Sequence, residues 1–160
     1  MESARMIAWS AQLRRVHQRL TDALAIARES IESSEPIDAR EAVEQLADPL
    51  IYCWGLCSAL DGHHEAEDGA LFPRLRERHP ELAPVLDNLT RDHRMIAHLL
   101  GELRRAMAAG DPPEDLRRHL DGIEAIMTTH VRYEEKRLGA VLDGLDLGPT
   151  APETLFGPLA

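Results

Sequence analysis

Apolar residues recur in steps of three and four along four blocks of this chain, and Pro and Gly separate the blocks. That period is the signature of helices buried along one face, and it leaves little room for strands. Leu13, Val16, Leu20, Leu24 and Ala27 carry the first block, which predicts a helix from about Ser3 to Ile31. The stretch Glu32-Ser-Ser-Glu-Pro-Ile37 ends it. Asp38, with Glu41 three residues on, reads as a capping box that opens the second block. Pro49 lies inside that block, where it either kinks the helix or takes the first position of a new one behind Asp48. The pattern then runs through Trp54, Leu56, Leu60, His63, Glu67 and Leu71 to Pro73, with one more turn over Arg74 to Arg78.

The third block starts around Pro84 and places Leu86, Leu89, His93, Ile96, Leu100 and Leu103 on one face before Gly110-Asp-Pro-Pro113 stops it. The fourth begins near Pro113 and carries Leu116, Leu120, Ile123, Met127, His130, Glu134, Leu138 and Val141. From Asp143 onward Gly and Pro are frequent and the chain reads as irregular, though Leu155 and Phe156 could dock on the helices. Composition agrees: 44% of residues are hydrophobic but only 4% aromatic, a mixture that packs helices through aliphatic side chains. The expected fold is all-α, an antiparallel up-down-up-down four-helix bundle over residues 1–142 with an irregular tail over 143–160.

Charge narrows the partners. The formal net charge is −10, which disfavours nucleic acid held through phosphates and an anionic membrane surface. No apolar run reaches the length of a membrane span, and the first twenty residues lack the uninterrupted apolar stretch of a signal peptide. Cys53 and Cys57 are too few for a disulfide framework and suit buried thiols, so a reducing cytoplasm is the expected setting. The sequence allows for a homodimer.

The chemistry is carried by a duplication. His17 stands alone in the first block, and the second carries His63-His-Glu-Ala-Glu67-Asp68-Gly-Ala-Leu71. His93 stands alone in the third, and the fourth carries His130-Val-Arg-Tyr-Glu134-Glu135-Lys-Arg-Leu138. Residues four apart on a helix differ by about 40° in direction and about 6 Å in height, so a His and a Glu so placed converge on one point. Four such faces around a bundle axis could supply six ligands to two cations: His17, His63, Glu67, His93, His130 and Glu134. Two carboxylates would bridge, four imidazoles would fill terminal positions, and each metal would keep a position for a small ligand.

Chance alone produces about one His-x-x-x-Glu pair in a chain with eight histidines, and three occur. The third, His98 with Glu102, lacks the following acid and leucine, and His98 lies about 140° around the helix from His93. It acts as an internal control. The signal is the duplication.

These residues resemble the hemerythrin-like, or HHE cation-binding, family from about Ala11 to Leu142, with Leu71-Phe72-Pro73 similar to the family's signature after its second helix. The resemblance implies a four-helix bundle around a non-haem di-iron centre, two iron ions bridged by an oxo or hydroxo group, and carries the ligand role onto the same six residues. It implies binding of dioxygen, or of peroxide or nitric oxide as a related small ligand. Catalase-like or nitric oxide turnover, or an iron or oxygen sensor module, are the alternatives it covers. The chain departs from oxygen-carrying hemerythrin at Ala97, where that branch has a further histidine. Glu135 competes with Glu134 as the last acid, and the second copy ends Leu138-Gly-Ala; the pattern is closer to the bacterial branch with four His and two Glu.

Other polar residues have plainer readings. His64, about 100° from His63, is expected at the surface or behind the ligands. Asp68 and Glu135 are expected as solvated acids or as acceptors for the free N–H of a ligand imidazole. Tyr52 and His119, each eleven residues before a ligand His, read as core fillers, and Tyr133 shares that status.

Overall fold

The computed structural model describes residues 8–32 and 39–160, of which 39–49 as backbone only. The start of the first helix near Ser3 and the capping box of Asp38 and Glu41 therefore lie outside the described residues. Among the described residues there is no strand. The elements are α1 (Trp9–Glu32), α2 (Ala39–Ala66), a π turn (Glu67–Leu71), α3 (Phe72–Arg78), a 3-10 turn (Pro80–Leu82), α4 (Ala83–Ala108), α5 (Pro113–Asp143) and α6 (Pro152–Phe156). All the regular elements of the described residues are helical. No helix among the described residues is long and apolar enough to cross a membrane.

Four long helices close around one core. α1 packs against α2 and α5, and α4 packs against the same two. Each presents the stripe that its spacing demands: Leu13, Val16, Leu20 and Leu24 on α1, Leu89, Ile96 and Leu100 on α4, Leu120, Ile123 and Leu138 on α5, all buried. Each buried Leu or Ile contributes about 1.5–3 kcal/mol, so the stripes rather than helix propensity hold the bundle. The metal-type residues sit in these same stripes, His17 between Val16 and Leu20, His93 between Leu89 and Ile96, His130 and Glu134 between Met127 and Leu138.

The helix ends follow local chemistry. α4 stops in a Schellman arrangement: Asp111 N–H donates to the Ala106 carbonyl at 3.0 Å and Gly110 N–H to Met107 at 3.1 Å. Gly110 sits at φ +72°, where any side chain would be strained, which is why the helix ends there. α5 begins at once with Pro113 in its first turn, where a missing N–H costs nothing.

Of the two alternatives at Pro49, a new helix is excluded, since one helix runs through it from Ala39 to Ala66. Two expectations need correcting. Trp54 is 41% exposed and Tyr52 52% exposed, because the buried stripe of α2 runs through Cys53, Leu56, Cys57 and Leu60 instead. His119 is half-buried, so it does not fill the core either. The tail is not simply irregular: Pro152–Phe156 forms a short helix with Pro152 in its first turn, and Leu155 and Phe156 are fully buried. Phe156 packs against Trp9 at 6.2 Å between ring centroids, which returns the C-terminus to the start of α1.

Candidate metal centre

α1, α2, α4 and α5 each turn an imidazole inward at the same level of the bundle. His17, His63, His93 and His130 are buried, with Glu67 and Glu134 fully buried between them. Two donor groups form: His17, His63 and Glu134 in one, and His64, Glu67, His93 and His130 in the other, with ligand atoms in each within 4.8 Å of one another. The grouping is crossed. Each pair of imidazoles from one half of the chain meets the glutamate of the other half.

The carboxylates join the groups. Glu67 Oε1 lies 3.0 Å from His63 Nε2 and 3.6 Å from His93 Nε2. Glu134 Oε2 lies 3.4 Å from His17 Nε2 and 3.3 Å from His130 Nε2. None of these contacts has hydrogen-bond geometry: the Nε2 atoms of all four histidines and both oxygens of each glutamate are buried without a partner. Eight orphaned donor atoms in one spot would be strongly destabilising if left so, since a buried unsatisfied polar group costs about 1–3 kcal/mol. Cations satisfy all of them, and the nitrogen and oxygen donors suit iron, manganese or zinc. The residues fit a metal.

The outer nitrogens are held. His93 Nδ1 lies 2.8 Å from Asp68, His130 Nδ1 3.1 Å from Asp92, and His17 Nδ1 3.4 Å from Glu135. His63 Nδ1 donates to the backbone carbonyl of Phe156 at 2.7 Å. A proton kept on Nδ1 leaves the Nε2 lone pair facing inward, the tautomer that a metal needs. Glu134 is the acid buried in the cluster, while Glu135 is half-exposed and serves His17 from outside.

Electrostatics show how much the donors strain against each other when only protein groups surround them. Burial and the charge of Glu134 push the Glu67 carboxyl well above its ordinary range. Burial works against the charge on Glu134 too, but contact with Glu67, His130 and His17 outweighs it and holds this carboxyl low. Burial would lower His17, yet Glu134 and Glu135 raise it to about 9. Burial takes His63 down to about 3. A cation held among these residues would replace this uneven sharing of protons with a positive charge that the donors face in common.

His64 does not lie at the surface, one of the two places expected of it. It is 6% exposed, stacked on His93 at 3.9 Å between centroids and 15° between planes, and edge-on to His130 at 5.3 Å. α2 lies between α1 and α4, so His63 faces His17 while His64, about 100° around, faces His93. The signal was present: Leu60, His63, His64 and Glu67 follow i, i+3, i+4, i+7, the full width of a buried stripe. Asp92 and the Phe156 carbonyl had no such signal, since they lie 38 and 93 residues from the histidines they serve. His98 is well exposed, with Glu102 at 3.9 Å, apart from the centre. Tyr133 is half-buried, with its hydroxyl accepting from Asn88 at 3.3 Å, and lies outside both donor groups.

A cavity of about 490 Å³ opens on this side of the bundle and reaches His64 and His93, with Ala97, Asp68 and Thr90 in its wall. A groove of about 560 Å³ between α1 and α5 touches Glu135 but none of the inward donors.

No curated protein and no solved structure matches the chain. A family model does, that of the hemerythrin HHE cation-binding domain, over residues 10–142, a span that contains every inward-facing imidazole and carboxylate described above. With that match over most of its length and a buried His/Glu cluster within it, the chain belongs to the hemerythrin HHE cation-binding family.

Proposed function

We propose that this is a non-haem di-iron protein that binds dioxygen, or a related small oxidant such as peroxide or nitric oxide, at the centre between α1, α2, α4 and α5. The observation that carries the reading is the crossed donor set. Each glutamate lies against one imidazole from either half of the chain, which is the placement that bridging two cations requires. His17 and His63 would hold one iron and His93 and His130 the other, with Glu67 and Glu134 between them. Iron held there would supply electrons and an exchangeable position for a small oxidant. The chain's part would be to orient the imidazoles through their Nδ1 partners, to keep the cations together, and to cover His93 with the ring of Phe72, stacked on it at 5.6 Å.

The four-residue link between Ala108 and Pro113 leaves adjacent helices no room except to run in opposite directions, which supports an up-down-up-down bundle. Cys53 and Cys57 are fully buried, and burial raises both thiols to about 11, which keeps them protonated and suits a reducing, cytoplasmic setting.

The test is purification under iron-replete conditions, then metal analysis and an optical spectrum. Two irons per chain with an oxo-to-iron charge-transfer band are expected; fewer than one iron and no such band would sink the reading. A second reading, turnover of peroxide or nitric oxide, is favoured by the cavity beside Ala97, which gives a small reactant a path to His64 and His93. Oxygen release from peroxide, compared with His63→Ala, separates the two readings. Equal rates in both proteins remove the enzymatic one.

A further inference from the structure

Three of the four inward histidines are held from outside by carboxylates carried on the long helices or on the turn between them. His63 is different. Its Nδ1 acceptor is the main-chain oxygen of Phe156, four residues from the C-terminus. Because that acceptor is backbone, only the seating of the whole segment brings it to His63, and that seating is highly specific. Gly157 adopts φ +88°, and a Cβ there would stand 2.8 Å from the Gly62 carbonyl, His63 N and His63 Cα. A Cβ on Gly62 would meet Pro158 Cδ at 3.0 Å. The tail thus presses backbone to backbone against the helical turn that carries His63, a closeness that glycine alone permits.

The segment is anchored well beyond this contact. Leu155 and Phe156 are fully buried, Phe156 lies against Trp9, and Arg19 donates to the Leu159 carbonyl. Arg74 reaches Thr150 at 3.0 Å and Arg78 the Asp146 carbonyl. These contacts order the chain that returns from the end of α5 to α2. The matched family span stops at residue 142, so this device lies outside it.

We infer that the C-terminal segment Leu155–Gly157 is a positioning element of the metal centre: its Phe156 carbonyl fixes the tautomer and orientation of His63, so that seating of the tail sets how tightly the metal position served by His17 and His63 is held. The inference rests on the metal-centre reading. By linkage the coupling runs both ways, and a cation drawn onto His63 Nε2 tightens the tail onto α2. Loss of an outer partner of a ligand imidazole costs about tenfold to a hundredfold in metal affinity, which sets the expected size.

The experiment uses cobalt(II) as the probe, titrated into the whole 160-residue chain and followed by visible absorption, so that oxygen chemistry plays no part. All proteins carry Trp54→Phe, which leaves Trp9 fluorescence as a reporter of Phe156 seating. Gly157→Ala should shift Trp9 fluorescence and weaken one of the two cobalt-binding steps tenfold or more while the other stays within threefold. Phe156→Leu trims the packing but keeps the carbonyl, so it should lower the melting temperature of the metal-free protein with cobalt affinity retained; a merely structural tail would show the two losses together. Displacement of Trp9 with both cobalt steps unchanged would overturn the inference and leave the metal centre standing. A reference protein that takes up no cobalt would overturn both.

Discussion

The two donor groups contain the same residue types from duplicated motifs, yet their surroundings differ. The group of Glu67, His93 and His130, with His64 as a fourth member stacked on His93, is backed by Asp68 at 2.8 Å and Asp92 at 3.1 Å and borders the cavity. The group of His17, His63 and Glu134 is backed by one distant carboxylate, Glu135 at 3.4 Å, and by one uncharged carbonyl. A carboxylate acceptor makes an imidazole a stronger donor than a carbonyl does, so His93 and His130 are the more strongly donating pair of imidazoles. Duplication in the chain therefore sets which donors face inward, while the neighbours that tune them are recruited separately on each side.

Removing a shared carboxylate should erase the comparison altogether. Glu67→Ala takes a donor from both groups, and metal per chain, measured by elemental analysis, should fall from two to below one. Retention of both metals would break the bridging assignment. Next in size are the outer acceptors. Asp68→Ala and Glu135→Ala should each weaken metal binding by about tenfold to a hundredfold, with Asp68 the larger because its contact is shorter. Competition with a chelator measures this, and the reverse order would show that charge near His17 matters more than distance.

His64→Leu should leave both metals in place but change the optical spectrum and the affinity for a small anion such as azide, because the ring stacked on His93 at the cavity is gone. An unchanged azide affinity would demote the cavity as the route inward. His98→Ala should alter neither metal content nor stability beyond about 0.5 kcal/mol, as expected of an exposed side chain. A measurable loss of metal there would mean that the third His-x-x-x-Glu pair is more than coincidence.

The helices were legible because burial repeats every three to four residues, and the Leu13 to Ala27 and Leu86 to Leu103 stripes survive in the structure unchanged. His17, His93, His130 and Glu134 were legible for the same reason, as polar residues standing where a leucine would otherwise be. For His64 the sequence left surface and interior open, because the offset of about 100° from His63 does not say how wide an arc a helix wedged between two neighbours buries. Trp54 misled in the opposite sense, since a large apolar side chain one position off the stripe looks like core. The tail contacts were illegible in principle. Nothing local marks a backbone oxygen as the partner of an imidazole 93 residues earlier.

The π turn at Glu67–Leu71 carries a consequence for how ions arrive. There the Phe72 N–H reaches back five residues to the Glu67 carbonyl, and Pro73, next in line, has no N–H to give. The helix that delivers Glu67 is thus at its weakest one turn beyond that residue, on the flank where Asp68 and Gly69 already meet solvent. A closed bundle needs some seam that yields before the whole structure melts, and this one lies beside Glu67, the carboxylate that joins the two donor groups. Amide exchange in residues 68–72 should accordingly outpace that of residues 93–100, and loading with metal should slow the former most.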